Sequence, residues 1–155
     1  MYRNILLCYD GSEEGRNALS EGAEVALAMN ARTHLLAILR SSGADLAADP
    51  LGAAQLHDDH QGALRILREG VEWLKARNID ARGQLVFGDP ASHIATCART
   101  LGADLIVLGH HHRSRLARWW GEAEDALLLE RAPCSILVAI GPGLVDLSAN
   151  KRSGK

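Results

Sequence analysis

Short apolar runs alternate with amphipathic helical patterns along the whole of this 155-residue chain, and that alternation restricts its fold more than any other feature. The runs predicted as strands are 4–9, 33–39, 81–87, 104–108 and 135–140. Four of them are apolar on both faces, which is typical of parallel strands buried between two helical layers. The sequence therefore predicts an α/β fold with a doubly wound, five-stranded parallel sheet and helices on both faces.

Local signals at the helix ends support the same order of elements. Ser12 is a predicted N-cap for a helix reaching Met29, and Pro90 suits the first position of a helix that ends at Gly102. Two further helices are expected over 57–77 and 121–131. Residues 40–56 are rich in Ser, Gly, Ala, Asp and Pro, and we expect a long surface loop there with at most a little helix.

Length and charge limit the protein's class. The chain suits one domain, expected over residues 1–146, with a polar and mobile tail at 147–155. A net charge of −2 gives no electrostatic basis for binding nucleic acid or a membrane surface. Three cysteines in apolar segments suggest reduced thiols, and the first residues lack a secretory-signal pattern. We therefore expect a cytoplasmic protein.

Polar residues follow two strands that we expect to be neighbours in the centre of the sheet. Asp10 ends the first strand, and Gly109 ends the fourth. The loop after Gly109 carries three histidines and then Arg113, Arg115 and Arg118. A carboxylate at this edge accepts hydrogen bonds from a base or ribose, and cationic groups suit phosphates. The alternative for Asp10 is that it only caps the first helix and its turn.

Several separate motifs resemble the universal stress protein family, and the resemblance spans nearly the whole chain. They are Asn4-Ile-Leu-Leu-Cys-Tyr-Asp10-Gly-Ser, Val86-Phe-Gly88-Asp-Pro90-Ala with Ile94, Ala103-Asp-Leu-Ile-Val-Leu-Gly109, and Arg131-Ala-Pro-Cys134-Ser-Ile-Leu-Val138. The resemblance implies an adenine nucleotide alpha hydrolase-like or flavodoxin-like three-layer sandwich. It also implies a role in stress survival and a homodimer through the last strand, Ser135–Ile140. One branch of the family binds ATP, and another has lost that ability.

The binding branch carries a glycine, two residues, a second glycine, nine residues, and then a glycine followed by Ser or Thr. These glycines let backbone amides close around phosphates. Here Gly109 matches the first glycine, but His112 replaces the second. Gly121 comes one residue early, and Glu122 occupies the hydroxyl position. The resemblance thus implies an ATP or adenine-nucleotide site that is degenerate.

The candidate binding residues are Asp10, Leu39, Leu108, Gly109, His112, Arg113, Gly121 and Glu122. Two interpretations of the loop stay open. The arginines and histidines bind phosphates through side chains in place of the lost backbone nest, or the arginines pair with Glu122, Glu124 and Asp125 on a solvated surface.

Other functional signals are weaker. His57 and His60 share a helix face, but no third ligand is in view, so we expect no metal site. Trp119 and Trp120 are expected to pack on the sheet or across a dimer rather than stack on an adenine. No P-loop, dinucleotide fingerprint or nucleophile elbow is present, and no catalytic residue is assigned; at most, slow ATP hydrolysis is expected. The alternative to a nucleotide-binding stress protein is a dimeric interaction module of the same family with an empty crevice.

Overall fold

All five predicted strands are present and form one parallel sheet in the order β3-β2-β1-β4-β5. The computed structural model describes residues 1–39, 50–110 and 122–140. Its elements are β1 (Asn4–Tyr9), α1 (Glu13–Met29), β2 (Arg32–Leu39), α2 (Pro50–Lys75), β3 (Ala81–Phe87), α3 (Pro90–Leu101), β4 (Leu105–His110), α4 (Glu122–Arg131) and β5 (Ser135–Ile140). The doubly wound parallel sheet predicted from the sequence is confirmed.

The first strand lies in the centre of the sheet. β1 pairs with β2 on one side, with Leu7 opposite Leu35, and with β4 on the other, with Leu7 opposite Val107. The chain therefore builds the sheet outwards to β3, crosses back over β1, and then builds outwards to β5. This reversal places a crevice beside the carboxyl end of β1.

Two separate cores lie on the two faces of the sheet, because successive strand residues point to opposite faces. The core under α1 and α2 includes Ile5, Leu7, Tyr9, Leu19, Leu35 and Leu74. The core under α3 and α4 includes Leu6, Leu36, Ile94, Ile106 and Leu128. Burying one such side chain stabilises the fold by about 1.5–3 kcal/mol.

The helix boundaries marked by Ser12, Pro90 and Gly102 lie where the sequence predicts them, and Asp89 is a further N-cap. The Ser12 hydroxyl accepts a hydrogen bond from the Gly15 amide at 2.9 Å, and the Asp89 carboxylate accepts one from the Ser92 amide at 2.9 Å. Pro90 opens α3, and Gly102 ends it in a left-handed conformation with φ of 61°. These contacts satisfy backbone groups that a helix end leaves without partners.

The predicted loop over 40–56 is wrong in its second half, because α2 already begins at Pro50. Small residues such as Ala53 and Ala54 favour a helix but create no apolar stripe, so periodicity did not detect this turn. Residues 40–49 lie outside the described residues, as do the predicted domain limit at 146 and the tail at 147–155.

Helix α2 approaches the sheet closely at Gly70. A Cβ atom there would lie 2.6 Å from Leu35 Cδ2 and 2.9 Å from Tyr9 Cδ1. No helix in the described ranges is long and apolar enough to cross a membrane.

Candidate functional site

A crevice opens at the carboxyl edge of the sheet, where β1 and β4 lie side by side. Its empty volume, with open solvent included, is about 390 Å³, and its cavity volume is about 30 Å³. The apolar lining comes from Leu36, Ile38, Pro90, Ile94 and Leu108. Cys8, Tyr9, Asp10, Gly15 and Gly109 complete the wall. The crevice thus joins an apolar floor to a rim made of one carboxylate, two glycines and the first turns of α1 and α3.

Asp10 is held in a tight turn at the rim of this crevice. Its Oδ1 atom accepts hydrogen bonds from the Ser12 amide, at 2.9 Å, and from the Ser12 hydroxyl. Gly11 between them has φ of 80°, a conformation that L side chains rarely adopt. The carboxylate therefore organises the turn into α1, as the capping alternative expects, and also lines the crevice.

Gly15 allows the first turn of α1 to lie directly against that carboxylate. A Cβ atom at Gly15 would collide with Asp10 Oδ1, so any larger residue must displace the turn. The positive end of a helix stabilises a nearby anion. Gly15 is not among the binding residues predicted from the sequence. A glycine in the first turn of an otherwise helix-favouring segment was the available signal.

Cys8 contributes a neutral thiol to the crevice wall. Burial, followed by the nearby Cys97 and Asp10 side chains, raises the pKa of Cys8 far above its ordinary value. A thiol in this environment is not a nucleophile, because nucleophilic attack requires the thiolate. The described cysteines form no disulfide.

Polar contacts next to the crevice link β1 and α1 to α2. The Tyr9 hydroxyl donates to Glu69 Oε1 at 3.0 Å, and Arg16 Nη2 lies 3.4 Å from the same oxygen. Burial is the main cause that raises the pKa of Tyr9. The Arg16–Glu69 pair is exposed, with 60% and 53% of the side-chain surfaces accessible, so it adds little stability by itself. These contacts could not be predicted from the sequence, because Glu69 lies more than 50 residues from both Tyr9 and Arg16.

The structure brings together three of the eight candidate binding residues: Asp10, Leu108 and Gly109. Leu39 ends β2 at the same edge, opposite Phe87 of β3. Glu122 is the first residue of α4. His112, Arg113 and Gly121 lie outside the described residues, together with Trp119 and Trp120.

His60 stacks on an aromatic ring at the end of β3. Its ring centroid lies 5.3 Å from that of Phe87, and the planes are within 8° of parallel. Among the described residues, no three His, Cys, Asp or Glu side chains are grouped so that they could hold a metal ion.

Comparisons with known proteins agree with this architecture. A model of the Universal stress protein family matches residues 1–139. A relative from Staphylococcus haemolyticus, whose name places it among the universal stress proteins, is 28% identical over 142 residues, covering 88% of this chain and 84% of its own. A similarly named relative from Staphylococcus epidermidis is 27% identical over 140 residues, covering 88% and 83%.

Solved structures show the same fold. The universal stress protein UspA from Lactobacillus plantarum superposes with a TM-score of 0.74 at 24% identity, over 89% of this chain and 97% of that one. A universal stress protein in complex with cAMP gives 0.66 at 22% identity, over 88% and 96%. One from Archaeoglobus fulgidus in complex with dAMP gives 0.65 at 16% identity, over 88% and 97%. The family match over nearly the whole chain, together with the strand order, shows that this protein belongs to the universal stress protein family.

Proposed function

We propose that this protein is a cytoplasmic, dimeric stress-response protein whose carboxyl-edge crevice binds an adenine nucleotide. The observation that carries the proposal is the crevice itself, where Asp10 and Gly109 lie at the ends of neighbouring central strands over an apolar floor. Two proteins of the same fold were solved with cAMP and with dAMP. Both ligands are adenine nucleotides with a single phosphate.

In this proposal the base and ribose lie against the apolar floor near Leu39 and Leu108, and Asp10 accepts hydrogen bonds from them. The phosphate lies at the loop that starts at Gly109. That loop has His112 in place of the family's second glycine and Glu122 in place of its hydroxyl, with Gly121 one residue early. Backbone amides therefore supply fewer phosphate contacts, and Arg113 with its neighbouring cations supplies side-chain contacts instead. A nucleotide with one phosphate is favoured over ATP, because Glu122 repels additional negative charge.

Calorimetric titration with AMP, cAMP and ATP tests this proposal. Binding of a monophosphate that is weakened about tenfold or more in Asp10→Asn would support it, since a neutral amide is a poorer acceptor than a carboxylate. Asp104→Asn is the matched control. Its carboxylate accepts the Arg3 and Asn4 amides, at 2.8 and 3.0 Å, at the opposite edge of the sheet. If none of the three nucleotides binds at millimolar concentration, the crevice does not have this function.

The second candidate is a dimeric interaction module with no nucleotide. It is favoured by one observation, the engagement of Asp10 Oδ1 by both the amide and the hydroxyl of Ser12. An absence of nucleotide in the denatured supernatant of the purified protein, together with no calorimetric signal, would select this candidate.

The dimer is proposed to form through β5. Val138 and Ile140 are 42% and 60% exposed, although they belong to an apolar strand at the edge of the described sheet. An apolar edge strand is a template for pairing with a second copy. Sedimentation of the wild type and of Val138→Lys tests this, and a wild-type monomer at micromolar concentration would contradict it.

A further inference from the structure

A second hollow lies on the α3 face of the sheet, over the first halves of β2 and β3. It is separate from the Asp10 crevice, which opens at the carboxyl ends of the strands. Its empty volume, with open solvent included, is about 450 Å³, and its cavity volume is about 170 Å³. Its side-chain lining is Leu6, His34, Leu36, Arg82, Gln84 and Leu101. We call this hollow the β2–β3 groove.

The groove exists because α3 and α4 leave part of the sheet uncovered. The core on that face takes side chains from β1, the second half of β2, and β4, but only Val86 from β3. Arg82 and Gln84 point to the same face as Val86, since strand residues alternate, and both are exposed. Leu101, at the end of α3, forms the opposite wall.

The charged group of the lining is the Arg82 guanidinium, which carries donors and no acceptor. Within residues 1–39, 50–110 and 122–140, Arg82 makes no hydrogen bond or ion pair. Gln84 Oε1 accepts from Cys97 Sγ at 3.6 Å, and the amide nitrogen of the same side chain carries two N–H donors. None of the described residues that line the groove carries a carboxylate. This arrangement favours a ligand that brings negatively charged acceptors.

The pKa of His34 also reflects the positive charge beside the groove. Burial first, and then the nearby Arg82 and Arg32 guanidinium groups, lower the pKa of His34. Among the described residues no acidic group contributes to that shift, so the described charge that acts on His34 is positive. An anion bound at Arg82 would neutralise it.

The floor of the groove is apolar. Leu6 and Leu36 are each only 1% exposed, and Leu101 is half-buried. An apolar cavity of about 150 Å³ accommodates benzene, so this volume suits a single ring or a branched chain of similar size. A body of that size would cover Leu101, the half-buried apolar side chain of the lining, while a charged group reaches Arg82.

We propose that the β2–β3 groove is a binding site for a small organic carboxylate with a compact apolar body. The carboxylate accepts hydrogen bonds from the Arg82 guanidinium and the Gln84 amide, and the body lies on Leu36 and Leu101. A single negative charge matches the single arginine that lines the site. This site is independent of the nucleotide proposal, because it shares no polar residue with the crevice.

Amide NMR titration with benzoate tests the proposal. We expect saturable shifts at the amides of His34, Arg82 and Gln84, and weak or no shifts with benzyl alcohol, which has the ring without the charge. Acetate, which has the charge without the ring, should bind at least about tenfold more weakly than benzoate. Equal responses to benzoate and benzyl alcohol would overturn the assignment of the carboxylate to Arg82.

Arg82→Gln should weaken benzoate at least about tenfold, since it removes a charge-assisted hydrogen bond. Arg68→Gln, an exposed arginine on α2 that does not line the groove, is the matched control and should leave affinity unchanged. Shifts confined to Asp10 and Gly109, or inorganic phosphate binding more tightly than benzoate, would also overturn the proposal. Saturating AMP should not displace benzoate; failure of AMP to bind would concern only the crevice.

Discussion

The crevice and the β2–β3 groove share Leu36 in their walls, yet their polar groups are organised in opposite ways. At the carboxyl edge, Asp10 is fixed by the Ser12 turn and by the first turn of α1, so backbone geometry prepares the site. In the β2–β3 groove, Arg82 and Gln84 project from positions within β3 and not from a turn or a helix cap. The first region is sensitive to backbone changes, and the second is sensitive to changes in side-chain charge.

Leu36 offers the largest perturbation, because it lines both hollows. Leu36→Ala should lower the free energy of unfolding by about 2–5 kcal/mol, through lost burial and a cavity that joins the two hollows. Urea denaturation measures this. Leu129→Ala, at a side chain that is 68% exposed, is the control and should change stability by less than about 0.5 kcal/mol. A similar small effect at Leu36 would mean that the two hollows do not share this wall.

Gly15→Ala tests whether the crevice depends on backbone approach. The new Cβ would collide with Asp10 Oδ1 and should cost about 1–3 kcal/mol of stability, as overpacking does. Gly62→Ala in α2 is the matched control. Its Cβ would meet only Arg65 Nη2, at 3.8 Å, so the better helix propensity of alanine should stabilise the protein by about 0.5–1 kcal/mol. Opposite signs in thermal denaturation support the close packing at Asp10, and stabilisation by both changes would contradict it.

Ser12→Ala removes the cap of α1 and one donor to Asp10. The expected cost is about 1 kcal/mol, the usual value for an N-cap. Because the turn also orients Asp10, the amide resonances of Asp10 and Gly15 should shift while those of Arg82 and Gln84 do not. Equal shifts in both regions would show that the two hollows are not independent.

His34 gives the smallest expected effect, and it concerns the groove alone. Because the pKa of His34 is lowered in the fold, the unfolded chain binds more protons between that pKa and about 6.5. Stability from this group is therefore fully present above about pH 6.5 and is lost as pH falls through the folded pKa. His34→Gln should flatten the dependence of stability on pH below about 6.5 relative to the wild type. Identical slopes in denaturant titrations would contradict the electrostatic description of the groove.

The sheet could be predicted from the sequence because its signals are local and mutually consistent. Apolar runs, Ser12, Asp89-Pro90 and Gly102 each indicate one element or one boundary, and all of them agree. The first turns of α2 were missed because alanine-rich segments lack an apolar stripe.

The position of the crevice could be predicted from the sequence, but the contacts that form it could not. Asp10 and Gly109 were found because strand ends in a parallel sheet meet at one edge. The role of Gly15 depends on a single interatomic approach, and the Tyr9–Glu69 contact depends on how α2 packs. The β2–β3 groove was not predicted, because it needs the register that sets His34 opposite Arg82. No residue pattern in the sequence encodes these contacts or this register.

The central position of β1 has a consequence for how the chain folds. Its neighbour β2 is synthesised soon afterwards, but its neighbour β4 follows about a hundred residues later. The hydrogen bond from the Arg3 amide to the Asp104 carboxylate spans 101 residues of sequence. Closing so long a segment costs entropy before any contact repays it. During synthesis, one side of β1 therefore stays unpaired until β4 leaves the ribosome. The central strand of the native sheet is therefore an edge strand during most of synthesis.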